Sequence, residues 1–289
     1  MNFCGIVCEF NPFHNGHEYI IQEAKKQSGS EIICLMSGDF VQRGAPAIES
    51  KYERAKKAIL AGANTVLELP CLHACSNAEN FAFGSIKTFK ALGIKKIAFG
   101  IEHTSIDILK QVAKLKFENS TRFQSAFKNE IQNGINYNTA LKRSIASTLG
   151  DDGILEVLNK PNNILAIEYL TSMLKLDHEM EIFAIDRTDN GYVSKTNKNQ
   201  FLSASSIRDL ISNNQDHSAF VPKYAIVQKP FNKIENEIFE KMSILKIKQT
   251  PVTSLAKLYD YAEGIEYRIV KSATLFGSLE AMLRLRAVL

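Results

Sequence analysis

The chain has 289 residues, 45% of them hydrophobic, with 35 Lys and Arg against 31 Asp and Glu for a formal net charge of +4. That length can bury a sizeable core and supports a second domain. No apolar run approaches the roughly 18–20 residues of a membrane span, and the start lacks the basic segment and small-residue cleavage site of a signal peptide. The expectation is a soluble, cytoplasmic, globular protein.

Five cysteines, Cys4, Cys8, Cys34, Cys71 and Cys75, make an odd set. Three lie in apolar strand-like runs where a thiol packs as a small hydrophobe, so no disulfide is assigned. Cys71 and Cys75 with His73 between them could suggest zinc, but no second ligand couple accompanies them, and no metal site is expected.

In chain order, residues 2–10 read as a strand, 14–28 as a helix, 31–37 as a strand, 50–62 as a helix, 64–69 as a strand, 77–92 as a helix and 95–101 as a strand. The strands are nearly continuous apolar runs, such as Ile32-Ile33-Cys34-Leu35-Met36, which is how strands covered on both faces read. The alternation predicts βαβ units, a doubly wound, Rossmann-like parallel sheet in an α/β fold. Residues 104–148 and 163–176 read as helices and 181–185 as one more strand, so the sheet is completed through a helical insertion at about 104–176. Ser203-Ala204-Ser205-Ser206-Ile207-Arg208 then reads as a loop feeding a helix, with Ser205 or Ser206 as its N-cap. Residues 216–289 form a small helical domain in this scheme, broken at Pro251.

Two segments carry chemistry. Asn11-Pro12-Phe13-His14-Asn15-Gly16-His17 follows the first strand and opens a helix, and a helix start offers unpaired backbone N–H groups and the positive end of the macrodipole to a phosphate. His14 and His17, three positions apart, share a face of the first turn and can follow charge onto a leaving pyrophosphate. The late Ser205-Ser206-Ile207-Arg208 adds hydroxyls and a guanidinium suited to phosphate oxygens. In an open parallel sheet both loops can face one pocket beyond the carboxyl ends of the strands. Charge is uneven: residues 190–289 carry 14 Lys and Arg against 9 Asp and Glu, a net +5, against −1 for residues 1–189, the footprint of a polyanion partner. Lys51, Arg54, Lys56 and Lys57 could face RNA or form a solvated helix face.

H-x-G-H after the first strand with a late serine-serine-arginine helix start resembles the nucleotidylyltransferase superfamily. The series Glu9-Phe10-Asn11-Pro12-Phe13-His14-Asn15-Gly16-His17, Ser37-Gly38-Asp39-Phe40-Val41-Gln42-Arg43-Gly44, Glu68-Leu69-Pro70, Phe99-Gly100, Lys160-Pro161-Asn162-Asn163-Ile164-Leu165 and Ala204-Ser205-Ser206-Ile207-Arg208 resembles, in order and spacing, the tRNA(Met) cytidine acetate ligase family. The resemblance implies an enzyme that activates acetate with ATP, Mg²⁺ accompanying the triphosphate, to acetyl-adenylate and pyrophosphate. The acetyl group then passes to the exocyclic amine of the wobble cytidine of elongator tRNA(Met).

By the same resemblance ATP is wrapped by Val7, Cys8, Glu9, Phe10, Asn11, Pro12, Phe13, His14, Asn15, Gly16, His17, Glu18, Tyr19 and Ile20. Gly100, Asn162, Asn163 and Arg187 fix the nucleotide. His14, His17, Ser206 and Arg208 serve catalysis. Read from its own residues, the 37–44 loop offers Arg43 to orient acetate or an RNA phosphate and Asp39 to sit near the attacking amine or the triphosphate; the alternative is a polar loop with no catalytic part. Family members run on further, so the helical ending here, with Lys271, Arg284 and Arg286 as candidate tRNA contacts, is expected to be shorter than theirs. The competing expectations are an adenylyltransferase for a small metabolite and a non-catalytic nucleotide- or RNA-binding protein.

Overall fold

The structure, a computed structural model, describes residues 2–186, 202–258 and 265–275. Five strands, β1 (Phe3–Cys8), β2 (Glu31–Ser37), β3 (Thr65–Leu69), β4 (Lys96–Ile101) and β5 (Glu181–Asp186), form one sheet in the order β3-β2-β1-β4-β5. Every pairing is parallel. The doubly wound α/β sheet expected from the apolar runs is therefore present. Its order turns back between β1 and β4, and the carboxyl ends of those two strands are the topological switch point where ligands of such sheets bind.

The helices are α1 (Asn15–Ser28), α2 (Lys51–Leu60), α3 (Cys71–Ala74), α4 (Ala78–Ala91), α5 (Ile106–Glu118), α6 (Thr121–Gln132), α7 (Tyr137–Leu149), α8 (Ile154–Val157), α9 (Pro161–Leu176), α10 (Ala204–Ser212), α11 (Lys233–Gln249), α12 (Val252–Leu255) and α13 (Ile265–Leu275). Their starts follow from capping chemistry: Ser50, Asn77, Ser105, Ser120 and Asn136 each accept a hydrogen bond from a backbone N–H of the turn they open, and α9 begins on Pro161. The helical insertion between β4 and β5 is α5 to α9.

Two cores cover the two faces of the sheet. One collects Ile20, Ile21 and Ala24 of α1, Ala58 of α2, and Ile207 and Ile211 of α10 against Ile6, Ile32 and Cys34. The other collects Phe81, Ile86 and Phe89 of α4, Leu109 and Val112 of α5, and Ala166 and Leu170 of α9 against Ile33, Leu35 and Ile97. Gly5 permits the second: a Cβ there would lie 2.5 Å from the Phe89 ring.

Several expectations are corrected. The first strand ends at Cys8 and not Phe10, because Phe10 turns into the left-handed region at φ 51°. The N-cap of α10 is Ser203, whose Oγ accepts from Ser206 N at 3.1 Å, and not Ser205 or Ser206. Arg54 and Lys57 do not face solvent. Arg54 is fully buried and Lys57 nearly so, while Tyr52, Ile59 and Leu60 of the same helix are exposed.

The chain divides into a unit of residues 1–228 and a unit of residues 229–289. Residues 216–228, grouped above with the helical domain, belong to the first unit, where Val221, Ala225 and Val227 join the α1/α2/α10 core. In the second unit α11 begins with a reciprocal Asn232/Glu235 cap and packs against α13, with Ile244, Leu255 and Ala273 buried.

Candidate active site

A cleft of about 210 Å³ opens at the switch point. Val7, Cys8 and Glu9 from the end of β1, Phe99 and Gly100 from β4, His17 and Ile20 from α1, Asn162, Leu165 and Tyr169 from α9, and Ala204 and Arg208 from α10 contribute to its lining, together with Phe10, Asn11, Gln42, Phe81 and Ile6.

The entry to α1 is built from the two histidines. His14 is the N-cap and His17 occupies the third helical position. His14 Nδ1 accepts from Gly16 N at 3.1 Å, and His17 Nδ1 accepts from His14 N at 3.3 Å. His17 N and Glu18 N both donate to His14 O, at 2.8 and 3.2 Å. The backbone N–H groups of Gly16, His17 and Glu18 are thus engaged within the cap, which modifies the simple picture of a phosphate seated on bare helix amides. With each Nδ1 accepting, a neutral ring carries its proton on Nε2, so the donor this segment can aim at a ligand is an imidazole Nε2–H. His17 lines the cleft; His14, 4% exposed, stacks on it with ring centroids 3.6 Å apart.

Phe10 and Phe13 complete the support. Phe10, itself on the cleft lining, meets both the Phe13 and His17 rings edge-on at 4.9 Å, so the aromatic pair packs against the cleft-facing imidazole. Asn11 Oδ1 accepts from Ile48 N at 2.8 Å, and Asn15 Nδ2 donates to Ala219 O at 3.2 Å. Tyr224 Oη donates to Glu18 Oε1 at 2.6 Å. The Asn11–Pro12 peptide is cis.

Opposite α1, Arg208 Nη1 donates to Asn11 O at 2.6 Å from a position on the cleft wall. Ser203 Oγ lies 2.9 Å from Ser205 Oγ and 2.8 Å from Ser206 Oγ, so the hydroxyls of this helix start bond one another. Burial holds the Tyr169 phenol far above its ordinary value, with Cys8 and Glu9 adding to the shift, and the ring lines the cleft as a protonated group.

The other residues singled out in the sequence separate into cleft walls and supports. Among the described residues, Val7, Cys8, Glu9, Phe10, Asn11, His17, Ile20, Gly100, Asn162 and Arg208 lie on the cleft. Pro12, Phe13, His14, Asn15, Gly16, Glu18, Tyr19, Asn163, Asp39 and Ser206 lie outside its lining. Asn163 is a clamp: fully buried, it donates from Nδ2 to Glu102 O at 2.8 Å and Val157 O at 3.2 Å and accepts from Glu102 N at 2.8 Å. Asn162 Nδ2 bonds Glu102 Oε1 while facing the cleft. Asp39 Oδ1 accepts from Lys51 N at 2.8 Å, anchoring the start of α2. Arg43 lies in a 3₁₀ turn, Gln42–Gly44, and its side chain, like Arg187, Arg284 and Arg286, lies outside the described residues. Lys271 is exposed on α13. Gln42, Phe81 and Tyr169 were not singled out; in the sequence Phe81 and Tyr169 read only as apolar positions of helices, and Gln42 only as part of the 37–44 loop.

Comparison with known proteins agrees with this geometry. The HIGH Nucleotidyl Transferase family model matches residues 1–287. The tRNA(Met) cytidine acetate ligase of Thermosipho africanus is 34% identical over 289 residues, spanning 97% of this chain and 68% of that protein. The protein of the same name from Thermoanaerobacter sp. strain X514 is 35% identical, spanning 99% and 73%. The crystal structure of Thermotoga maritima TmcAL bound with alpha-thio ATP matches with a TM-score of 0.82 at 28% identity, over 98% of this chain and 70% of that one. A cleft at the β1/β4 switch point, an H-x-G-H helix cap on its wall and this kinship lead to one conclusion: the chain belongs to the HIGH nucleotidyl transferase family, among the tRNA(Met) cytidine acetate ligases.

Proposed function

We propose that this chain activates acetate with ATP and transfers the acetyl group to the wobble cytidine of elongator tRNA(Met). The observation that carries the reading is the pairing of the His17-lined cleft with relatives of that name along nearly the whole chain. In the first step an acetate oxygen attacks the α-phosphorus of ATP, the bond to the β-phosphate oxygen breaks, and pyrophosphate leaves with its charge. His17 Nε2–H and Arg208 donate to the phosphate oxygens, while Gly100 and Asn162 border the adenosine. Placement and charge stabilisation are sufficient for such a displacement, with no covalent enzyme intermediate.

In the second step the cytidine N4 amine attacks the acetyl carbon, AMP leaves, and the amine loses a proton. The base must be splayed from its stack to reach the cleft. Mg²⁺ accompanying the triphosphate would neutralise phosphate charge as pyrophosphate leaves; among the described residues no group of three or more His, Cys, Asp or Glu side chains is placed to hold an ion.

The test is incubation of the protein with ATP, Mg²⁺, isotope-labelled acetate and tRNA, followed by mass spectrometry of the nucleosides. Labelled N4-acetylcytidine is the expected product. Pyrophosphate release that depends on a small metabolite and ignores acetate would instead identify a metabolite adenylyltransferase.

A further inference from the structure

The guanidinium of Arg54 lies outside the cleft lining and has no part in the chemistry above, yet it is fully buried. Its partners are main-chain carbonyls. Nε donates to Glu49 O at 3.1 Å, Nη1 to Glu9 O at 2.5 Å and Ser37 O at 3.2 Å, and Nη2 to Gly38 O. Glu9 O follows the end of β1, Ser37 and Gly38 lie at the end of β2, and Glu49 immediately precedes the cap of α2. One planar fork therefore joins the end of β1, which borders the cleft, to the end of β2 and the start of α2. A buried cation without a paired carboxylate is costly. Burial pulls Arg54 below its ordinary value, against the favourable influence of Cys8, Asp39, Glu9 and Glu49.

What this cation holds is unusual backbone. Phe10, a bulky non-glycine residue, sits at φ 51°, a conformation that persists where the surroundings over-determine it. Arg54 fixes the carbonyl before it, Glu9 O, and Arg208 fixes the one after it, Asn11 O. The same turn delivers the Phe10 ring to His17 and the Glu9 carboxylate to Gln42 N, at 2.7 Å. The adenosine side, Gly100 on β4 and Asn162 on α9, has no bond to Arg54.

We propose that Arg54 is a positioning residue for the adenylation step, holding the left-handed turn at Phe10 so that His17 meets the reacting phosphate. The proposal rests on the ATP- and acetate-dependent reading above. Because Arg54 acts on the turn and not on the nucleoside face, its loss should slow turnover more than it weakens ATP binding.

The experiment measures acetate-dependent ATP–pyrophosphate exchange and alpha-thio ATP affinity on the full chain. Lysine can reach one or two of the four carbonyls but cannot span them. In Arg54→Lys, kcat should fall about tenfold or more while KM for ATP and nucleotide affinity move less than about threefold. In Arg54→Ala, added guanidinium ion at sub-denaturing concentration should restore part of kcat. The control is Ala58→Gly, which weakens the same helix α2 without removing any partner of Arg54 and should leave kcat unchanged whatever its melting temperature. Arg54→Lys with wild-type kcat, equal losses in kcat and nucleotide affinity, or collapse of the Arg54→Lys fold would each overturn the proposal. An inactive wild-type chain that binds alpha-thio ATP would instead overturn the functional reading on which it rests.

Discussion

His14 and His17 cap one helix for each other: their rings stack at 3.6 Å, His14 Nδ1 takes the Gly16 N–H, and His17 Nδ1 takes the His14 N–H. In both rings Nδ1 is spent on the backbone; only His17 lines the cleft, so the Nε2–H proposed to meet the phosphate is that of His17, with His14 stacked against it.

This separation predicts different outcomes for two substitutions at one position. Asparagine is a good N-cap, so His14→Asn should stay within a few tenths of a kcal/mol of wild type, whereas His14→Ala should lose about 1 kcal/mol. Both remove the ring that stacks on His17 and should lower acetate-dependent adenylation by about tenfold or more through misplacement of His17. Urea unfolding and pyrophosphate exchange on the two variants give the comparison. Wild-type exchange by His14→Asn would show that only the cap matters.

Asn162 and Asn163 are neighbours with separate duties. Asn163→Ala strands Glu102 N, Glu102 O and Val157 O inside the fold, and each unsatisfied buried group costs about 1–3 kcal/mol, so a large drop in melting temperature is expected. Asn162→Ala removes a cleft wall and should raise KM for ATP, with stability changed by less than about 0.5 kcal/mol. The reverse pattern in melting and kinetics would exchange the assigned roles.

The sheet was legible because strands buried on both faces read as unbroken apolar runs, and the H-x-G-H cap was legible because its parts are contiguous. Helix α2 was not. Its sequence, Lys51-Tyr52-Glu53-Arg54-Ala55-Lys56-Lys57-Ala58-Ile59-Leu60, suggests an apolar face at the tyrosine, isoleucine and leucine, yet the fold buries Arg54 and Lys57 and leaves Tyr52 74% exposed. Only strand ends arriving from residues 9, 37 and 38 give a buried guanidinium its acceptors, and no local period encodes their arrival. The cap of α10 failed for a related reason: three serines in four residues can each cap, and which hydroxyl accepts depends on where the chain enters.

Glu49 and Lys57 form a buried pair, with Lys57 Nζ 2.5 and 2.6 Å from the two carboxylate oxygens. Removing either partner should cost about 3–5 kcal/mol, while the double change Glu49→Leu with Lys57→Met should be near neutral or stabilising. Burial, outweighing the Lys57 ammonium, holds the Glu49 carboxyl above its ordinary value. The folded chain then keeps that proton to higher pH than the unfolded chain. The corresponding stability is complete below about pH 4.3 and is lost as pH rises through the raised value. Unfolding of wild type and double variant across mildly acidic pH should differ in slope; parallel curves would contradict the assignment.

Tyr224 reports on the same helix start from the alkaline side. Its hydroxyl donates to Glu18 in the first turn of α1, and burial, then the bond to Glu18, pushes the phenol well above its ordinary value. A raised acid is bound more firmly by the folded state, so its contribution is complete below about pH 10 and declines as pH rises through the folded value. Tyr224→Phe should cost about 0.5–1.5 kcal/mol near neutrality, because the hydroxyl and its Glu18 partner are solvent-accessible and water replaces the lost donor. It should also remove one titrating group from the alkaline limb, so the gap between variant and wild type narrows above about pH 10. Urea midpoints near pH 8 and near pH 11 test this, and a constant gap would exclude the link. Because Glu18 directly follows His17, pyrophosphate exchange in Tyr224→Phe tests whether this tie also steadies the histidine pair. An adenylation rate that falls while ATP affinity holds would place Tyr224 with Arg54 among the residues that keep His17 on the reacting phosphate.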